Sequence, residues 1–183
     1  MALEPCYGHN GGNAVRVYTR DGSSFLDERR MKTVIKNICA FFNADLTALS
    51  DNYGHYLGCK QDVPLPLSPV LVLVRVKMRR PRYENDGATG YFSLRDVTGI
   101  SAPGPDREQG TCCLVNLNGG HSVPSFFSKN NVQKRLSRAN VALDRFNSLQ
   151  KRDQDLEQLK ELLENEMLAD KRIKLLWELL KHR

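Results

Sequence analysis

The sequence predicts an α+β fold, a β-rich body followed by C-terminal helices, and three observations carry that prediction. Short alternating runs separated by Gly, Pro, Asn and Asp clusters fill the first two thirds of the chain, the texture of strands joined by tight turns. After Pro124 the apolar residues recur at spacings of three and four, the period of an amphipathic helix. The chain has 183 residues, 40% of them hydrophobic, enough for one buried core with an appended helical element. The expected division is a mobile N-terminal lead-in at 1–13, a β-rich body at 14–124 and a helical assembly element at 125–183.

Each element has its own signal. Residues 1–13 carry Gly8, Gly11 and Gly12 around His9 and Asn10 with no period, hence the lead-in. Val15-Arg-Val-Tyr18 alternates as a strand and Asp21-Gly22 supplies a turn. Between Met31 and Phe42 the residues Val34, Ile35, Ile38, Phe41 and Phe42 fit one helical face, while the β-branched content suits a strand; the strand is preferred. Pro64, Pro66 and Pro69 lead to a strand Val70–Met78 that Pro81 ends. Along it Arg75, Lys77 and Arg79 share one face at spacings of about 7 Å, with Val74, Val76 and Met78 on the other. Tyr91–Thr98 reads as a further strand, and a loop spans Ala102–Gly110. Thr111–Asn118 and His121–Val123 flank Gly119-Gly120 as a hairpin with a primed two-residue turn. Ser128 then caps a helix whose apolar stripe is Val132, Leu136, Ala139, Leu143 and Phe146. Leu156, Leu159, Leu163 and Met167 continue the stripe among mixed charges. The terminal Ile173–Leu180, with Leu176, Trp177 and Leu180, is apolar around most of its circumference and must be covered, by the body or by a second copy of the chain. Self-association is the preferred account.

Charge narrows the function. Lys and Arg number 27 against 21 Asp and Glu, a net charge of +6, which favours a polyanionic partner. Arg75, Lys77, Arg79, Arg80 and Arg82 fall in eight residues without an acid, and Lys134, Arg135 and Arg138 form a second cationic surface on the helix after Pro124. No apolar run approaches the roughly 20 residues of a membrane span, and the start Met-Ala-Leu-Glu-Pro-Cys lacks a secretion signal, so a cytoplasmic chain is expected. The five cysteines include no Cys-x-x-Cys pair, and His55 with Cys59 lacks a second pair, so neither metal nor cofactor is expected. Phosphate-binding Gly loops, Gly-x-Ser-x-Gly and His-Glu-x-x-His are absent, and no enzyme is expected.

The order Ile38-Cys-Ala-Phe-Phe-Asn-Ala-Asp-Leu46, Pro66-Leu-Ser-Pro69 before a strand, Tyr91-Phe-Ser-Leu-Arg-Asp-Val97, Val115-Asn-Leu-Asn-Gly119 with Val123-Pro124, and the helix Val132–Ala139 resembles the ComK competence transcription factors of Gram-positive bacteria. The likeness spans roughly residues 33–146. It implies a nucleoid-associated regulator, an activator in the family, that binds A/T-rich promoter duplexes partly through the minor groove, acts as an oligomer, and is controlled by a proteolytic adaptor. Leu114–Gly119 followed by Val123-Pro-Ser125 and a helix is also similar to the end of LytTR-type DNA-binding domains.

The function expected is therefore a DNA-binding transcription regulator that contacts double-stranded DNA phosphates through Arg75, Lys77, Arg79, Arg80 and Arg82, helped by Lys134, Arg135 and Arg138. Arg80 or Arg82, beside Pro81, would enter a narrow minor groove. A homo-oligomer forms through Leu156, Leu159, Leu163, Met167, Leu176, Trp177 and Leu180. The rival is a protein-interaction or adaptor module that uses the C-terminal helix and binds no DNA.

Overall fold

A computed structural model describes residues 1–104 and 109–181, apart from the side chains of 169, 170, 175, 176 and 179–181 within the last helix. The chain divides into two compact units, Met1–Asp144 and Arg145–Arg183.

In the first unit, β1 (Ala2–Tyr7), β2 (Asn13–Tyr18) and β3 (Ser24–Asp27) form a meander, followed by helices α1 (Met31–Phe41) and α2 (Leu46–Tyr56). Strands β4 (Leu65–Ser68), β5 (Leu71–Lys77) and β6 (Thr89–Ser93) complete an antiparallel sheet of order β3-β2-β1-β6-β5-β4. A single 3₁₀ turn at Leu94–Asp96 leads to a second sheet, β7 (Val97–Ser101), β8 (Cys113–Leu117) and β9 (Ser122–Ser125), in that order. The last element is α3 (Lys129–Lys181). Among the described residues no helix is long and apolar enough to cross a membrane.

The large sheet is covered on both faces, which is why β5 reads as an unbroken apolar run rather than an alternating one. Val72, Val74, Val76 and Met78, with Ala2 and Phe92, pack on the second sheet and on Val132 and Ala139 of α3. Leu3, Val15, Val17 and Leu73 face Val34, Ile35 and Cys39 of α1. Each fully buried side chain of this size contributes roughly 1.5–3 kcal/mol.

Four expectations are corrected. The segment 1–13 is no mobile lead-in: β1 lies inside the sheet, where Ala2 and Leu3 are buried and pair with Phe92 and Tyr91 of β6 as well as with β2. Its glycines turn the chain only after the strand, and Gly8 and Gly11 close that turn by backbone hydrogen bonds. Met31–Phe42 is a helix, not a strand. It buries Val34, Ile35 and Cys39 and ends in a Schellman motif, with Ala44 N–H donating to Cys39 O at 2.9 Å, Asn43 N–H to Ala40 O at 3.0 Å, and Asn43 at φ 53°. Tyr91–Thr98 is not one strand, because the 3₁₀ turn breaks it and sends its halves to different sheets. The Gly119-Gly120 hairpin forms, but Leu117 N–H donates to His121 O at 2.8 Å, so its loop is Asn118-Gly119-Gly120 rather than two residues. The extra residue seats Gly119 against the β2–β3 turn, where a Cβ would meet Arg20 O at 2.8 Å and Gly22 N at 3.0 Å.

The boundary between units also differs from the expected 124/125. Ser128 caps α3 as expected, its Oγ accepting from Asn131 N–H at 3.4 Å. From there Val132, Ala139 and Ala142 are fully buried and Leu136 and Leu143 partly so, which ties the first turns of the helix to the β-rich body.

Candidate functional site

The sheet edge at the end of β5 organises the cationic residues. Strand β4 begins at Leu65, opposite Leu73, and past that pair β5 has a bare edge whose carbonyls need partners. Phe126 N–H donates to Lys77 O at 2.8 Å, and Arg135 of α3 donates through Nη1 to Arg75 O at 3.4 Å. These two contacts bring β5, the segment before α3 and the first turns of α3 side by side.

Of the five cations between Arg75 and Arg82, two serve the fold. Arg75 Nε lies 3.7 Å from Asp62 Oδ1, and Arg135 Nη2 takes Asp62 Oδ2 at 2.7 Å, so one carboxylate holds a strand arginine and a helix arginine together. Asp62 sits at φ 56°, a left-handed conformation that Asp tolerates. Arg135 also stacks on Phe127, its Cζ 4.1 Å from the ring centre. Arg79 is only 7% exposed. Its Nε donates to Gly87 O at 2.7 Å, its Nη2 to Asn13 Oδ1, and its Cζ lies 4.2 Å from the centre of the Tyr7 ring. Arg75, Arg79 and Arg135, expected from the sequence as phosphate contacts, are thus each engaged within the fold: Arg79 and Arg135 are largely buried on their partners, while the Arg75 side chain stays 43% exposed beside Asp62.

The remaining cations are exposed. Lys77 Nζ reaches over the Phe126 ring at 5.9 Å, and Arg82 lies against Tyr7 with Cζ 4.4 Å from its centre. Arg80 closes on the same patch, since a Cβ on Gly110 would lie 3.3 Å from Phe126 Cε1 and 3.4 Å from Arg80 Nη2. Lys134 and Arg138 are exposed on α3. Among the described residues Lys77, Arg82, Lys134 and Arg138 enter no ion pair with a carboxylate.

Tyr7 is the residue that sequence reasoning missed. Its hydroxyl donates to Asp86 Oδ2 at 2.6 Å and accepts from Arg82 N–H at 2.8 Å, while its ring carries Arg79 and Arg82. The Tyr7 hydrogen bond, with that of Asn13, holds the Asp86 carboxyl below the usual carboxylate range. The Pro81 corner is thus anchored on β1, from the segment expected to be mobile.

In the second unit the row expected to join copies is uncovered. Leu156, Leu159, Leu163, Met167 and Trp177 are exposed, and so are Leu162, Leu168 and Ile173. At 100° per residue the first five fall within an arc of about 80°. The side chains of Leu176 and Leu180, named with them from the sequence, lie outside the described residues. Acids and bases mix around this row, and Lys160 Nζ pairs with Glu157 at 3.4 Å.

No family model, no curated protein and no solved structure matches the chain.

Proposed function

We propose that the chain binds duplex DNA along the edge where β5 runs out, with Lys77, Arg80 and Arg82 beside Lys134 and Arg138 as phosphate contacts, and that α3 joins two copies. The observation that carries this reading is the set of exposed cations left without a carboxylate on elements that touch: Lys77 and Arg82 on one side, Lys134 and Arg138 on the other. Arg75, Arg79 and Arg135 act behind them, as supports for the edge. The resemblance of the sequence to ComK agrees with this chemistry and adds the preference for A/T-rich duplexes and the regulatory role. The Arg80–Pro81–Arg82 corner is the element suited to a narrow minor groove.

A second copy is the occupant proposed for the exposed row of α3. Both signs of charge border the row, with Lys160, Glu164, Lys171 and Glu178 within one turn or so of it, so an identical face meets no single-signed field. Two-fold pairing would also double the cations offered to one duplex.

Fluorescence anisotropy with A/T-rich and G/C-rich duplexes across a potassium chloride series tests the first part. Affinity should fall with salt at a log–log slope of about −0.9 for each phosphate neutralised, and Lys77→Ala with Arg82→Ala should flatten the slope by about one unit apiece. Binding of neither duplex at low salt would overturn it. The exposed row of α3 favours a rival, a protein-interaction module without DNA, and that rival predicts no salt-dependent binding at all.

A further inference from the structure

Asp86 N–H donates to Tyr83 O at 3.0 Å, which closes a turn at 83–86 just after the Pro81 corner. Tyr83, at the head of that turn, is 72% exposed. Its hydroxyl and ring meet no hydrogen-bond or ring partner among the described residues. We infer that Tyr83 is a base-stacking residue, whose ring lies on a nucleic-acid base where an A/T-rich duplex opens beside the Arg82 contact. The stacking rests on the reading of the β5 edge as a DNA contact, and adds a contact to the bases themselves.

A single exposed ring is ordinary on a protein surface and carries nothing alone. What sets Tyr83 apart is a free ring on a fixed backbone. Its N–H donates to Asp86 Oδ2 at 3.2 Å, and the N–H of Arg82 before it donates to the Tyr7 hydroxyl at 2.8 Å. The Asp86 carboxylate is held in turn by the Tyr7 hydroxyl at 2.6 Å and by the Asn13 amide at 2.8 Å. Strands β1 and β2 thus grip the main chain that carries the ring. A tyrosine has only two side-chain torsions, so a ring presented this way loses little conformational freedom when it meets a ligand.

The charges on either side of the ring narrow the ligand. Arg82 precedes it, exposed, lying on the Tyr7 ring and in no ion pair with a carboxylate among the described residues. Glu84 follows it, an exposed acid, and Asp86 is a second carboxylate two residues on. Acids at 84 and 86 disfavour a phosphate on the turn itself, so the ring suits a neutral, flat surface close to a phosphate that Arg82 holds. The face of a base next to the sugar–phosphate chain is such a surface, and every base has one. Pyrimidine–purine steps such as TA unstack most readily, so a stacking ring agrees with a preference for A/T-rich duplexes without reading any base edge.

Fluorescence anisotropy of the full chain tests this with an A/T-rich duplex, the same duplex carrying a T·T mismatch at its central TA step, and a thymidine single strand. Tyr83→Ala should weaken duplex binding about tenfold, the usual effect of losing one stacked base, and leave the salt slope unchanged because no charge is removed. Tyr83→Phe, which keeps the ring, should bind as the unaltered chain does. The mismatch lowers the cost of opening the stack, so it should tighten binding by the unaltered chain and not by Tyr83→Ala. Because the residue is exposed, both variants should keep the melting temperature. Duplex binding that Tyr83→Ala leaves intact, or that Tyr83→Phe weakens equally, overturns the stacking and leaves the DNA reading standing. Single-strand binding that Tyr83→Ala abolishes, with no duplex bound, keeps the stacking and removes the duplex. Binding to none of the three overturns both.

Discussion

The two units handle their difficult side chains in opposite ways. In Met1–Asp144 even arginines are drawn inward: Arg79 is buried on Asn13, Gly87 and Tyr7, and Arg135 is fixed by Asp62 and Phe127. In Arg145–Arg183 even leucines stay outside, with Leu156, Leu159 and Leu163 about half exposed. A charge can be buried where a sheet edge and two neighbouring elements surround it with partners. A leucine on a single helix has nothing to bury against until another surface arrives. The body therefore covers most of its own large apolar side chains, whereas the C-terminal unit leaves a row of them exposed.

The largest test of that contrast lies in the body. A Cβ on Gly90 would fall 2.2 Å from Met78 Sδ and 2.5 Å from Leu3 O, so Gly90→Ala should cost about 3 kcal/mol by overpacking. All six tyrosines lie in the body and the single tryptophan, Trp177, in the C-terminal unit, which lets near-ultraviolet circular dichroism follow the former and fluorescence the latter. Tyrosine signals should melt early while Trp177 emission at low temperature is unchanged.

Next comes Asp62→Asn. Removing the carboxylate leaves Arg135, whose side chain is 14% exposed, charged and poorly paired, at a cost of about 2 kcal/mol after allowing for the partial exposure of the site. The same change frees positive charge at the β5 edge, so the salt slope for DNA should steepen. A loss of stability with no change of slope would separate the structural arginines from the interface altogether.

Acid gives a smaller and graded effect. Burial alone would push the Asp96 carboxyl up, but the N-terminal amine of Met1 and the Arg20 guanidinium outweigh it and hold it below the usual range. A carboxyl whose folded value is depressed contributes stability above its unfolded value, near 4, and loses it as pH falls through the folded one. Urea midpoints should thus decline below about pH 4 in the native chain and less steeply in Asp96→Asn. Equal slopes would remove Asp96 from the acid response.

The smallest effect on the body should come from the exposed row. Leu159→Glu with Leu163→Glu should change tyrosine-monitored stability by less than about 0.5 kcal/mol, as for other exposed substitutions. Light scattering should nevertheless show the particle reduced to a single chain. An unchanged mass would mean that the row does not join copies.

The strands that alternate or run apolar between clear turns, Val15–Tyr18 and Leu71–Lys77, were legible in the sequence, as was the start of the last helix at Ser128. Met31–Phe42 was not, because its β-branched residues suit either state and tertiary burial of Val34, Ile35 and Cys39 decided for the helix; Asn43, a left-handed stop after two phenylalanines, was the local sign. Residues 1–13 misled because their glycines outweighed Ala2-Leu3, whose partners Phe92 and Tyr91 lie far along the chain. For the interface, sequence located the cations but not their fates. Asp62 and Asn13 stand 13 and 66 residues from the arginines they bind on β5 and beyond it, and no local pattern reports such pairings.

The central place of β1 sets a schedule for synthesis. Leu3 leaves the ribosome roughly 5 to 20 s before Tyr91 at ordinary elongation rates, so the growing polypeptide must hold its first strand on β2 alone. During that interval the side of β1 that later takes β6 is an unpaired strand edge, open to any extended chain nearby.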